Sequence, residues 1–390
     1  MISAIWRKRL YRPEALRLMA RDLRGWQAPV HATPVHLEAA AEWILHAQSA
    51  TPDEGVAGGY SFEDGWIASY PETTGYIIPT LLAYADYSGR RELQGRVLAM
   101  AEWECAVQLS EGGFPGHFVD RSNPPVVFNT GQVIFGLLAA HNASGDGRFV
   151  EAAGRAAGWL AAVQERDGSW RRFDYRDTVH VYNTRTAWAL VELGLATGDA
   201  TARAAGERHL DWALSQQDGD GWFRNAAFGP SEDPFLHTIA YTTQGLLEAG
   251  LALDRPDYVA SSERACRALL PHVAADGFIA GTFAAGWRPT APYSCLTGNA
   301  QMAAQWLRLH ERTGDPAFRA GAGRALTLLK QTQDCAAGNP AVRGAIKGSH
   351  PIWGRYLFGT YPNWATKFFM DALLMEELVV AGRKSCIRCW

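Results

Sequence analysis

Lysine is scarce in this chain of 390 residues: Lys8, Lys330, Lys347, Lys367 and Lys384 are the whole set, and arginine supplies the other positive charges. Charged residues make up only 20% and the net charge is −3, so no basic excess exists to neutralise a phosphate backbone, which excludes nucleic acid as an expected partner. No apolar run approaches the length of a membrane span, and arginines interrupt the first twenty-odd residues. Neither a spanning helix nor a secretory leader is therefore expected, and the reading is a cytoplasmic protein. The six cysteines are scattered, without a disulfide framework. Cys386 and Cys389 form a C-x-x-C pair with no second pair or histidine nearby, and residues 381–390 are read as a tail. What is plentiful is apolar and aromatic: 47% hydrophobic residues, with 15 Trp, 13 Tyr and 16 Phe.

Those residues repeat. An Ala-rich helical run with Trp near its start and Gln at its end, followed by a Gly turn and an aromatic, recurs as EWECAVQLSEGGF, GWLAAVQERDGSW and DWALSQQDGDGWF, with looser copies at Glu42, Arg267 and Arg324. Between these runs lies a second, more apolar helix, as in PETTGYIIPTLLAYADYSG and VFNTGQVIFGLLAAHNASGD. Thr74, Thr130, Thr184, Thr238, Thr297 and Asn363 stand where an N-cap oxygen is expected, and Gly turns end four of the helices. The first set carries charge on one side and the second almost none, the signature of outer and enclosed helices. The fold expected is all-α: a closed (α/α)6 toroid over 36–380, with an open solenoid as the alternative. Residues 1–35 form a basic helical extension, in which seven Arg and Lys alternate with Ile5, Trp6, Leu10, Leu16 and Met19. That pattern suits peripheral contact with an anionic membrane through residues 1–25, or an extra helix packed outside the toroid.

The run from Trp159 to Trp170, and again Asp211 to Trp222, resembles the Gln-Trp repeat of terpene cyclases and prenyltransferases, in which the Gln caps a helix against the following aromatic. The resemblance implies fold rather than chemistry: the acidic D-x-D-D segment of the cyclases is absent, and Tyr293 stands where a zinc-binding prenyltransferase would place Asp beside Cys295 and His350. No metal or cofactor site is read. Segments such as YPETTGYIIPTLL, IKGSHPIWGRY and YPNWATKFFMDAL resemble a family of α/α-toroid proteins from bacterial polysaccharide-synthesis neighbourhoods. A broader architectural similarity extends to polysaccharide lyases, uronyl hydrolases and sugar epimerases, which implies saccharide chemistry.

In a toroid the amino ends of all inner helices meet at one rim, where free amides and dipoles favour an anionic ligand. Glu72, Tyr182, Arg185, His237 and Tyr241 are the catalytic candidates. Asn129, Asn183, Asp64, Trp66, Trp287, Lys347, His350, Tyr361, Asn363 and Lys367 are the substrate-binding candidates. Asn, Arg, His and Tyr are the groups an elimination at a uronate needs: a carboxylate neutraliser, a base and a proton donor. Hydrolysis would instead use two carboxylates, drawn from Glu72, Asp64, Glu232 and Asp233. The expected activity is elimination, hydrolysis or epimerisation of an anionic, uronate-like or lipid-linked saccharide. A terpene cyclase or prenyltransferase and a non-catalytic saccharide-binding partner are the alternatives. Eight side chains, from Glu72 to Lys367, are expected in one cavity, with Glu72 and Lys367 able to pair across the seam.

Overall fold

The computed structural model describes residues 11–120 and 123–383. Lys8, Cys386, Cys389 and the apolar residues Ile5, Trp6 and Leu10 lie outside the described residues. Among the described residues a short helix, α1 (Pro13–Leu23), precedes twelve longer ones. The chain continues through α2 (Thr33–Ser49), the strands β1 (Gly59–Ser61) and β2 (Gly65–Trp66), α3 (Pro71–Ser88), α4 (Leu93–Val107), α5 (Val127–Ser144), α6 (Gly147–Ala162), α7 (Thr184–Thr197), α8 (Ala200–Ser215), α9 (Leu236–Ala252) and α10 (Pro256–Leu269). After the short strands β3 (Phe283–Ala284), β4 (Arg288–Pro289) and β5 (Ser294–Cys295) come α11 (Leu296–Thr313), α12 (Pro316–Thr332), β6 (Ser349–His350), β7 (Thr360–Pro362) and α13 (Asn363–Val380).

The odd-numbered helices from α3 to α13 form the inner ring: each packs on the next, and α13 packs back on α3, so the ring closes. The division of hydrophobicity explains the arrangement. In α5 every residue from Val127 to Ala140 is buried, as an enclosed helix requires. In the outer helix α6 only a stripe is buried, Phe149, Ala152, Ala153, Ala156, Ala157, Trp159 and Leu160, spaced three and four apart. Inner neighbours approach closely where side chains are missing: a Cβ on Gly136 would stand 2.3 Å from the Gly75 carbonyl oxygen.

The recurring glutamine joins the repeats. Gln164 Nε2 donates to the carbonyls of Gly168 (3.1 Å) in its own turn and Ala205 (2.9 Å) in the next outer helix, while Arg208 donates to its Oε1. Gln108 does the same with Gly112, Ala152 and Arg155. At the seam Gln333 bonds the carbonyls of Gly344 and His36, and the His36 ring nitrogen meets its Oε1 at 2.5 Å, so the last outer helix is tied to the first by the same device. Val273 replaces Gln in the fifth repeat.

The threonines do not cap. Helix α3 begins at Pro71 and α5 at Val127, each with no side-chain cap bond. Thr74 Oγ1 instead accepts the Val56 N–H (3.0 Å) and Thr130 Oγ1 that of Phe114 (2.9 Å), pinning the incoming loop to the inner helix; Thr366 holds Ile346 likewise. True caps belong to the outer helices, where Asp146, Asp199 and Asp315 accept first-turn amides directly after left-handed Gly145, Gly198 and Gly314.

Helix α1 lies against the loops of the last repeat, with Ala15 fully buried and Leu18 and Met19 packed on the core. Polar links hold it: Asn339 donates to Glu14, Arg21 pairs with Asp334 at 2.7 Å, and Asp22 meets Lys347. Among the described residues no helix is long and apolar enough to cross a membrane.

Candidate active site

The loops running from outer to inner helices, together with the first turns they feed, surround a cavity of about 520 Å³. Glu72 is the second residue of α3, Asn129 the third of α5, and His237 the second of α9; Tyr182 stands two residues before α7, and Tyr241 follows His237 by one helical turn. Aromatic rings make the walls, with Tyr70, Phe118, Phe128, Tyr175, Phe228 and Trp364 among them. His117, Arg176 and Leu357, all on this wall, hold left-handed backbone at φ 58°, 58° and 54° without being glycine. Strain of this kind persists only where surrounding structure enforces it, and it gathers at functional sites.

Glu72 is the chemically distinctive group. The Tyr70 hydroxyl donates to its Oε2 at 2.5 Å. Burial raises its pKa from 4.5 to about 7, although the Tyr70 hydrogen bond and the Arg185 charge pull the other way. A carboxyl poised there can hold a proton at neutral pH and release it within the cavity. Burial acts oppositely on His237, lowering its pKa to about 3, so the ring is neutral. Its Nδ1 lies 2.9 Å from Gln301 Oε1, an acceptor; Nδ1 therefore carries the proton and Nε2 keeps a lone pair. The His237 ring sits 4.3 Å from that of Tyr241, whose hydroxyl lies near that of Tyr76 without closing a hydrogen bond to it.

A second carboxylate lines the same cavity. Asp174 Oδ2 accepts from Asn183 Nδ2 (2.6 Å) and from His180 Nδ1 (3.0 Å), and its Oδ1 accepts the Tyr175 amide. Tyr182, stacked on His180 at 4.6 Å, feels both Asp174 and Glu72, which raise its pKa further after burial. At the mouth Arg176 pairs with Glu232 at 2.6 Å.

The expected gathering of eight side chains divides. Glu72, Tyr182, His237 and Tyr241 line this cavity, joined by Asn129, whose amide donates to the Pro115 carbonyl. Arg185 does not line it: wholly buried, it bonds Gln132 and Gln244 and lies 5.3–5.8 Å from the rings of Tyr76, Phe135, Trp188, Tyr241 and Phe368. Lys367 is also sealed in the ring, with Asp371 at 2.6 Å, so the expected pairing with Glu72 is replaced by an i, i+4 pair inside α13. Asp371 in turn accepts from Thr80 of α3 at 2.7 Å, which is the link across the seam.

Lys347, His350 and Tyr361 line a separate cavity of about 390 Å³ beneath α1. There the Asp22 carboxylate accepts from Lys347 Nζ at 2.7 and 2.8 Å and from the Ile352 amide at 2.8 Å, and His350 Nδ1 lies 3.0 Å from Lys347. Asn183 serves Asp174, and Asn363 bonds the Ala57 carbonyl and Thr73 at the seam. Asp64 closes the β1–β2 turn on Ser61, Trp66 packs on Trp43 at 5.6 Å, and Trp287 packs on Trp222 at 5.3 Å while donating to the Asp220 carbonyl. None of these lines the cavity of Glu72.

Sequence reasoning missed Tyr70, Asp174, Arg176 and Tyr356. Asp174 and Arg176 stand in FDYRD, a loop cluster that follows one of the clearest repeat copies and breaks its pattern, a signal that was readable. Tyr356, which accepts a hydrogen bond from Trp364 and packs 5.4 Å from His237, gave none.

No family model matches the chain, and no curated protein matches it in sequence. Solved structures share its fold. An unsaturated glucuronyl hydrolase from Bacillus sp. GL1, responsible for the degradation of glycosaminoglycan, superposes with a TM-score of 0.71 at 16% identity, covering 90% of this chain and 98% of that one. Cellobiose 2-epimerase from Bacillus thermoamylovorans B4167 gives 0.68 at 10% identity, with 91% and 97% covered. A polysaccharide lyase gives 0.65 at 13% identity, with 91% and 100% covered. The chain is thus an α/α toroid of the architecture that carbohydrate-active enzymes use.

Proposed function

We propose that the protein is an enzyme acting on a uronate-like or lipid-linked saccharide, and that Glu72 is its proton donor. The Glu72 carboxyl carries this reading: it is held near neutrality by burial, oriented by Tyr70, and placed in an aromatic cavity whose rings suit sugar faces. In hydrolysis the acid protonates the glycosidic oxygen as the C–O bond breaks, and water supplies the hydroxyl to the sugar carbon. The second carboxylate of the lining, Asp174, is engaged by three donors of the chain and positions His180 and Asn183 beside the cavity. Arg176 at the mouth supplies charge for an acidic sugar. Three neighbours of the same architecture act on saccharides, which supports the substrate class without fixing it.

A second reading, elimination or epimerisation, is favoured by one observation: the open Nε2 of neutral His237 beside the unbonded Tyr241 hydroxyl, a base and an acid one turn apart. The test is a panel of unsaturated uronyl disaccharides, saturated uronate oligosaccharides and neutral oligosaccharides, followed by chromatography and mass spectrometry. Hydrolysis adds water to the product mass, elimination creates an absorbing double bond, and epimerisation changes neither. Binding without any product, unaltered in Glu72→Gln, overturns the enzyme reading in favour of a saccharide-binding protein; turnover of a polyprenyl diphosphate instead would favour the cyclase alternative.

A further inference from the structure

Helix α1 is amphipathic twice over. Its inward half carries Ala15, Leu18 and Met19 against the toroid, and also both of its acids: Glu14 is bonded by Asn339 and Asp22 by Lys347. At about 3.6 residues per turn the positions of Leu16, Leu23 and Arg24 fall on the opposite half. Leu16, Leu23 and the C-cap residue Arg24 are exposed there, with the exposed N-cap residue Arg12 beside them, while exposed Arg17 stands at the rim of the cavity beneath the helix. Leu16 is 49% and Leu23 72% exposed, the latter the most exposed large apolar side chain described. Arg12 and Arg24 thus flank two leucines on a face from which both carboxylates of the helix are turned away, with Arg17 at its border.

We propose that this outward face of α1 docks on an anionic lipid bilayer. Charge complementarity selects the occupant: the protein as a whole is acidic, with net charge −3, so a local acid-free patch cannot attract anions through general charge and must do so at short range. The two leucines insert at the level of the headgroups while the arginines meet lipid phosphates, each cation being worth about 1 kcal/mol near such a surface, or roughly fivefold in affinity. The face differs from the one a helix wheel of the sequence suggests, because Met19 points inward. The proposal stands on α1 alone and is independent of the reading of the Glu72 cavity. Its placement does matter to that reading, since the loop held by Asp22 at Lys347 and Ile352 also carries Tyr356 and Leu357 into the cavity wall.

The experiment is co-sedimentation of the full chain with phosphatidylcholine vesicles and with mixed phosphatidylcholine–phosphatidylglycerol vesicles. Binding is expected only to the mixed vesicles, weakening as salt rises. The triple variant Arg12→Gln, Arg17→Gln, Arg24→Gln should lose about two orders of magnitude in affinity, and Leu16→Ser with Leu23→Ser at least tenfold, with melting temperatures unchanged because all five side chains are exposed. No binding to mixed vesicles, equal binding to both, or full binding by the folded triple variant overturns the proposal. Sedimentation of the free protein as a dimer that the leucine variant dissolves would assign the face to a second copy and overturn it as well.

Discussion

Glu72 and Lys347 sit in outer-to-inner loops or first turns of the same rim, Lys347 buried and Glu72 partly so, both of residue types that do chemistry. Around Glu72 the chain supplies one hydroxyl, leaves the carboxyl near neutrality, and surrounds it with rings and an open volume. Around Lys347 it supplies a partner: two contacts to Asp22, a backbone amide that donates to the same carboxylate, and His350 alongside. Burial disfavours the charged form in both places. What separates a candidate site from a structural joint is whether the chain itself completes the cluster. By that criterion Lys367 belongs with Lys347, since Asp371 and aromatic rings enclose it, whereas Arg185 bonds two glutamines and keeps its buried Nη2 without a hydrogen-bond partner among the described residues.

The sharpest way to break the comparison is Glu72→Gln. Turnover should fall by roughly 10²–10⁴-fold while the protein becomes no less stable. The sign follows from the raised pKa: below pH 4.5 the group is protonated in both folded and unfolded chains and contributes nothing. As pH rises from 4.5 to about 7 the unfolded chain ionises first, and the native state loses up to about 3 kcal/mol relative to it. Glutamine removes that penalty, so the variant should match the parent in chemical denaturation at pH 4.5 and exceed it at pH 8. A variant equally active, or less stable at pH 8, would put Glu72 on the structural side.

Lys347→Met should do the reverse. Leaving Asp22 buried without its cation should cost about 3–5 kcal/mol in urea unfolding, with much of it recovered by adding Asp22→Leu. Loss of turnover by fully folded Lys347→Met, at unchanged stability, would return Lys347 to the substrate.

The ring's joints give a smaller effect. Gln164→Ala strands two carbonyls and an arginine, and Gln333→Ala strands two carbonyls and the His36 ring at the seam, each for about 1–3 kcal/mol. Equal losses, measured by thermal unfolding, mean that the seam is held like any other joint.

The pH profile should then show kcat/KM falling above about pH 7, as Glu72 deprotonates, with no limb from His237 above pH 4. The smallest change expected is Arg176→Ala: a few-fold rise in KM for an acidic sugar, none for a neutral one, and stability within about 0.5 kcal/mol because the ion pair with Glu232 is half exposed.

The fold was legible because it is local and repeated. Helical period, the Trp and Gln spacing and the difference between charged and uncharged helices are written in stretches of about twenty residues, and six copies corroborate one another. First-turn positions were legible for the same reason, which is why Glu72, Asn129, Tyr182 and His237 were nameable. The roles within those turns were not. Thr74 and Thr130 look like caps in sequence, but their hydroxyls accept loop amides sixteen to eighteen residues upstream.

By itself, then, the sequence determined an alternation of outer and inner helices and the set of residues brought to one rim, since both depend on periodicity along the chain. Only the tertiary structure decided which of those residues face open space. Asp22 reaches Lys347 across 325 positions, and Asp371 meets Thr80 across 291. A buried charge is structural or available according to the partner that folding delivers to it, and such a partner is a property of the closed ring that no local pattern encodes.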